Sequence, residues 1–314
     1  MSRADKYEAL RKLIQAFSEP YKGTLYHYTS ADSISGIIHN HEIWMSNTTF
    51  MNDTTELKAL ENATGILKDN DFTNDAVKER WHEMVDRTRT NEMTEPDYYM
   101  ASFSRKKDSL EQWRAYGNFC IGFDARKLAL RRHQFLYKCL YTENDIRKWI
   151  LAKERIPEWT SLPEEHRDNA AYNLLYVASM KYKNKHFRAE KEIRLVATSH
   201  HNWFYAKTPG GYEDDLPIHF RPHRLFGFVP YLKFFIERKS NNRPQGTQET
   251  ETQMKERKLK EEAAKQRELL PITEVIVGPM ARQREAKTAC EILLSERGYK
   301  QVSVNLSGIP YRGL

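Results

Sequence analysis

The sequence predicts an α+β fold, and three observations carry that prediction. Short segments rich in aromatic and β-branched residues are interleaved with segments of helical periodicity. Hydrophobic residues make up 39% of the 314, enough to bury a substantial core, while charged residues at 30% supply a polar exterior. No run approaches the roughly 18 apolar residues that a membrane-spanning helix needs.

Residues 1–22 begin MSRADKYEALRKLIQAF, where no apolar run exceeds two residues before charge or Gln interrupts it, so the segment reads as an amphipathic helix and not as a secretory leader. Tyr7, Leu10, Ile14 and Phe17 form its apolar face. Leu25 to Thr29 reads as a strand, Ser30 as a helix cap, and Ile34, Ile37 and Ile38 as the buried face of the helix that follows. Glu42 to Ser46 is a second strand. Asp53 precedes Glu56 by three, a capping-box spacing, and opens a helical stretch with Leu57, Leu60 and Ile66.

Tyr98 to Ser104 is strand-like, and DSLEQWRAYG forms one or two helical turns closed at Gly117. Phe119 to Phe123 and Phe135 to Tyr141 are β-rich, separated by the basic, helix-like ARKLALRRH. Residues 166–181 read as helical, Phe187 to Ala197 as an alternating strand, and Val229 to Ile236 as another strand. Ile272 to Val277 is a strand broken by Gly278-Pro279, residues 281–297 an amphipathic helix, and Val302 to Leu306 the last strand. The expected organisation is a helix over 1–22 and one domain over 23–314. A charged insertion interrupts that domain at about 238–268, where large apolar side chains almost vanish.

Fifty Lys and Arg against 43 Asp and Glu leave a formal net charge of +7, which permits a polyanionic partner such as RNA or DNA. Cys120, Cys139 and Cys290 are an odd number without short spacings, so a disulfide framework is not expected and a reduced, cytoplasmic location fits. Phosphate-loop, Rossmann and nucleophile-elbow motifs are missing, which argues against ATPases, nicotinamide dehydrogenases and α/β-hydrolases. His39 and His41 lack companion ligands at a metal-site spacing and read as a polar helix end; no metal is expected.

Three segments carry chemistry-bearing residue types. His27 lies in an aromatic strand beside Tyr28 and Thr29, either as a buried hydrogen-bonded residue or as part of a site. Trp113 and Tyr116, three apart, share a helix face and form either an aromatic wall or core packing. If Arg188 to Val196 is a strand, Arg188, Glu190, Glu192 and Arg194 share one face. That face is either a self-neutralising ladder or a carboxylate held by arginine and aimed at a ligand.

Together the segments resemble a bacterial protein family of long-undefined function that carries six motifs in this order. Here they are LYHYTS at Leu25–Ser30, F-x-N-D-x-x-E at Phe50–Glu56 and F-S-x-x-x-D-S-x-x-x-W-x-x-Y-G at Phe103–Gly117. C-I-G-F-D at Cys120–Asp124, E-K-E-x-R-L at Glu190–Leu195 and E-V-I-V-G-P at Glu274–Pro279 follow. The resemblance spans roughly residues 24–306, with Thr54 standing where the family often has proline.

That family is similar to the ADP-ribosyltransferase toxins of toxin–antitoxin and phage-defence systems. The resemblance implies a split, mostly antiparallel β core that cradles NAD as substrate. It implies that His27, with Tyr28 and Thr29, binds the NAD ribose, and that Tyr116, with Trp113, stacks on nicotinamide. Glu192 would be the catalytic glutamate and Glu190 the acceptor-positioning one, although both lie on the same expected face. Arg105 either pairs with the pyrophosphate or forms a surface salt bridge. A carboxylate suits this chemistry because cleaving the nicotinamide–ribose bond develops positive, oxocarbenium-like charge.

The expected activity is therefore ADP-ribosyl transfer to a macromolecule. Single-stranded RNA is favoured over protein because Arg126–Lys138, Lys181–Arg194 and His219–Lys233 mix cations with aromatic residues. A cognate antitoxin protein is an implied partner. A non-catalytic nucleic-acid-binding protein and an NAD glycohydrolase are the competing functions.

Overall fold

The computed structural model describes residues 17, 21–51, 67–72, 75–89, 98–128, 130, 134–154, 174, 177–198, 217–236 and 267–310. The first elements are β1 (Thr24–Thr29), α1 (Ala31–Asn40), β2 (Ile43–Asn47), α2 (Asp75–Arg89), β3 (Tyr98–Ser104) and α3 (Leu110–Tyr116). Next come β4 (Phe119–Asp124), β5 (Gln134–Lys138), α4 (Glu143–Glu154) and β6 (Glu192–Thr198). The last are β7 (His219–His223), β8 (Gly227–Phe234), β9 (Ile272–Val277), α5 (Gln283–Glu296) and β10 (Ser303–Leu306). The class is α+β with mostly antiparallel pairing. Among the described residues, no helix is long and apolar enough to cross a membrane.

The chain divides into two compact units, each discontinuous in sequence. The β6 unit comprises residues 1–22, 45–107 and 130–232; the β4 unit comprises 23–44, 108–129 and 233–314. In the β4 unit, β1 runs antiparallel to β4 with Thr24 opposite Asp124 and Thr29 opposite Phe119. β4 pairs antiparallel with β9, and β9 pairs parallel with β10, the crossover being α5. The Ser30 hydroxyl accepts from the Ser33 N–H and starts α1, which turns Ile34, Ile37 and Ile38 inward. All three cysteines are buried and none forms a disulfide.

In the β6 unit, β6 is flanked on both sides, by β3 and by β5, both antiparallel. A strand paired on both edges and covered on its faces reads as a continuous buried run, which accounts for Ile193 to Ala197. Ile146, Trp149 and Ile150 of α4 join Val77 and Trp81 of α2, Met100, Tyr137 and Val196 in one core. Phe17 is buried there too, edge-on to Trp149 with ring centroids 6.2 Å apart.

Several expectations change. Phe187 to Ala197 is not one strand: Lys185–Glu190 is a 3₁₀ turn, Lys191 is left-handed at φ 50°, and β6 begins at Glu192. The Asn184 side chain caps the turn by accepting from the His186 N–H. The basic ARKLALRRH stretch opens as a 3₁₀ turn, Ala125–Lys127, because Asp124 accepts from both the backbone and the guanidinium of Arg126. Helices α2 and α4 and strand β7 were not expected. Residues 177–181 are helical, part of the helix expected over 166–181. Tyr7, Leu10 and Ile14, the Asp53–Glu56 capping box with its helix, and the insertion up to 266 lie outside the described residues.

Candidate functional site

The carboxylate of Glu192 is the centre of a buried charge cluster in the β6 unit, with 2% of the residue exposed. Period-two geometry puts Glu192 and Arg194 on one face of β6, and the β3 register sets Ser102 opposite Arg194. The Ser102 hydroxyl donates to Glu192 Oε1 at 2.5 Å, and Arg194 Nε lies 3.3 Å from the same oxygen. Lys183 Nζ is 2.6 Å from Glu192 Oε2. Arg194 Nη1 also donates to the carbonyls of Met180, at 2.9 Å, and Tyr182, at 3.3 Å, so the guanidinium is fixed from behind. The Glu192 N–H donates to the Tyr141 hydroxyl at 2.7 Å.

Burial by itself pushes the Glu192 carboxyl up. The charges of Arg194 and Lys183, with the bonds from Lys183 and Ser102, outweigh it and hold the group at about 2. At neutral pH Glu192 is an ionised carboxylate in a fixed orientation. Burial likewise raises the neighbouring Tyr141 phenol above its ordinary range.

Glu190 reaches this cluster by a different route from the one the alternation suggests. It ends the 3₁₀ turn, its carbonyl accepts from the Ser104 hydroxyl at 2.6 Å, and its Oε2 lies 2.7 Å from Lys183 Nζ. The two glutamates therefore meet at one lysine across the left-handed Lys191. Arg188, expected in the ladder, is exposed. Arg105 donates from its backbone N–H and from Nε to the Lys191 carbonyl, at 3.1 and 3.4 Å, which ties it to that turn.

Sequence reasoning missed Lys183 as a site residue because it was read only as part of a basic surface. In the structure Lys181, Lys183 and Arg194 are all buried. Lys181 Nζ lies over the rings of Tyr137 and Trp149, at 5.5 and 5.1 Å from their centroids. The expected basic surface at Lys181–Arg194 is thus corrected: three of its cations are turned inward.

His27, Tyr28, Thr29, Trp113 and Tyr116 belong to the β4 unit. Tyr28 and Trp113 pack edge to face with centroids 4.6 Å apart. The Tyr28 hydroxyl accepts from the Ser109 N–H at 3.0 Å, and burial raises its phenol. The Trp113 indole N–H donates to Asp108 at 2.8 Å, and Asp108 also accepts from the Ser307 hydroxyl and the Gly308 N–H. Gly117, at φ 120°, closes α3 so near β1 that a Cβ there would stand 2.7 Å from the Thr29 carbonyl oxygen.

Of the two expected wall aromatics, Trp113 is 3% exposed and sits in the core, whereas Tyr116 is 41% exposed. Thr29 is buried, and His27 is half-buried opposite Ile121 of β4. His39 and His41 occupy the end of α1, where His39 meets Arg297 and His41 bonds the Tyr299 hydroxyl at 2.9 Å. Among the described residues, no three His, Cys, Asp or Glu side chains converge in a metal-type cluster.

No known protein family, curated protein or solved structure matches the chain. The functional reading rests on the motifs and on the geometry within each unit.

Proposed function

We propose that the protein is an NAD-dependent ADP-ribosyltransferase, a toxin or phage-defence effector whose acceptor is a macromolecule, single-stranded RNA before protein. The observation that carries this reading is Glu192: a carboxylate kept ionised and oriented by Lys183, Arg194 and Ser102. Such a group stabilises the positive charge that develops on the ribose as nicotinamide leaves. Tyr116, exposed at the end of α3, suits stacking on the nicotinamide ring. His27 and Thr29 are assigned to the ribose, Arg105 to the pyrophosphate and Glu190 to the acceptor. Tyr28 and Trp113 support His27, Thr29 and Tyr116 through their packing within the β4 unit.

The test is incubation of the purified chain with labelled NAD and cell extract. Nicotinamide release with transfer of label is expected, and Glu192→Asp, which keeps the charge but withdraws it by one methylene, should lose about a hundredfold or more. Release of nicotinamide without a labelled macromolecule would assign an NAD glycohydrolase. The engagement of both Glu192 oxygens favours a second reading, in which the cluster is structural and the chain binds nucleic acid without turnover. Nucleic-acid binding with no NAD consumption would select it.

A further inference from the structure

The hairpin of β7 and β8 has its amphipathic pattern reversed. Its register sets Phe220 opposite Pro230 and Pro222 opposite Phe228, so these four residues share one face. The other face carries His219, Arg221 and His223 with Val229 and Tyr231, the last two buried. A sheet face turned to water is ordinarily polar, yet here Phe220 is 66% exposed and Phe228 65%. The tip adds Arg224, also exposed, and Leu225 at 79%.

We infer that this face is a stacking platform for single-stranded nucleic acid, with Phe220 and Phe228 as the base-contacting residues. The two rings sit diagonally on adjacent strands, a spacing of roughly 7–8 Å between backbone positions. Aromatic residues on neighbouring strands of an open sheet stack successive unpaired bases in this way. The charge agrees: residues 217–228 contain Arg221 and the exposed Arg224 and no Asp or Glu. Arg221 donates to the Ser46 hydroxyl at 3.2 Å, while its Nε is buried and makes no hydrogen bond among the described residues. The exposed Arg224 at the tip suits a phosphate group, and every base offers a π face to a phenyl ring. The inference deepens the proposed acceptor reading and rests on it for its biological sense, but binding requires no catalysis.

The experiment is fluorescence anisotropy of the full chain with a short labelled single-stranded RNA, in the absence of NAD. The parent should bind with an affinity that falls as salt rises, and more weakly to a duplex of the same sequence. Phe220→Ala with Phe228→Ala should weaken binding by at least about tenfold, while Trp at both positions preserves it. Circular dichroism should be unchanged, because both rings are on the surface. Unaltered affinity in the double-alanine protein overturns the inference. So does a parent that ignores RNA but binds phosphatidylserine vesicles, or one that forms a dimer dissolved by the same substitutions. NAD turnover is scored separately: RNA binding through the hairpin with no turnover sinks the transferase reading and leaves the platform standing.

Discussion

Lys183 lies 2.6 Å from the Glu192 carboxylate with 7% of its own side chain exposed, so the countercharge is carried inside the protein and not by solvent. The same ammonium is 2.7 Å from Glu190, which makes one lysine the shared partner of both glutamates. A charge pair this dry is costly to break from one side, because the survivor stays buried.

Replacing Lys183 with Met should therefore destabilise the fold by about 3–5 kcal/mol in chemical denaturation, with Lys183→Arg recovering part of the loss. Removing the cation also raises the Glu192 carboxyl toward its ordinary range. If Glu192 is catalytic, the acid limb of the activity profile moves to higher pH in Lys183→Met. An unmoved limb would detach Lys183 from the reaction.

Glu192 predicts a specific acid response. Its folded value of about 2 lies below the ordinary 4.5, so its contribution to stability is complete above about pH 4.5 and is lost as pH falls toward 2. Glu192→Gln lacks that titration and leaves Lys183 and Arg194 unbalanced. The gap in unfolding free energy between parent and variant should be widest at neutral pH and close through this window. A gap that stays constant would contradict the assignment of the charge to Glu192.

Two glycines are set by close approach. A Cβ at Gly278 would stand 2.7 Å from Cε3 of the Trp113 indole, and one at Gly117 would meet the Thr29 carbonyl at the same distance. Gly278→Ala should cost about 1–3 kcal/mol by overpacking. Gly117→Ala should cost more, because the clash is with backbone and its φ of 120° strains any other residue. Thermal midpoints of the two variants, ranked in that order, check the prediction.

Glu42 is the buried end of a second network. It accepts from the Trp44 indole at 2.8 Å and pairs with Lys233 at 3.2 Å and with Arg267. Both cations keep about a quarter of their side chains in water, so they rehydrate when the glutamate is removed. Glu42→Ala should accordingly cost about 1–3 kcal/mol in urea unfolding, less than the loss from Lys183→Met.

Strands β1, β3 and β9 are readable from the sequence because each is a short aromatic or β-branched run bounded by its own stop signal: Ser30, the polar residues after Ser104, and Gly278-Pro279. The six motifs and the candidate glutamates are likewise local patterns. Other features were beyond local pattern. The alternation of RAEKEIRL continues a strand to the eye, but the cap from Asn184, the bond from Ser104 to the Glu190 carbonyl and the left-handed Lys191 delay β6 to Glu192. The spacing of Trp113 and Tyr116 fits a wall and a core equally, and only Tyr28 and Gly278 bury the first while the second stays open. Lys183 carries a charge that composition alone assigns to the surface. Its burial goes with its pairing to Glu190 and Glu192, and Glu192 is held in turn by Arg194 and by Ser102, the latter 90 residues away in sequence. Periodicity and capping act within one or two turns of chain, whereas the desolvation of a charge depends on partners that only tertiary folding delivers.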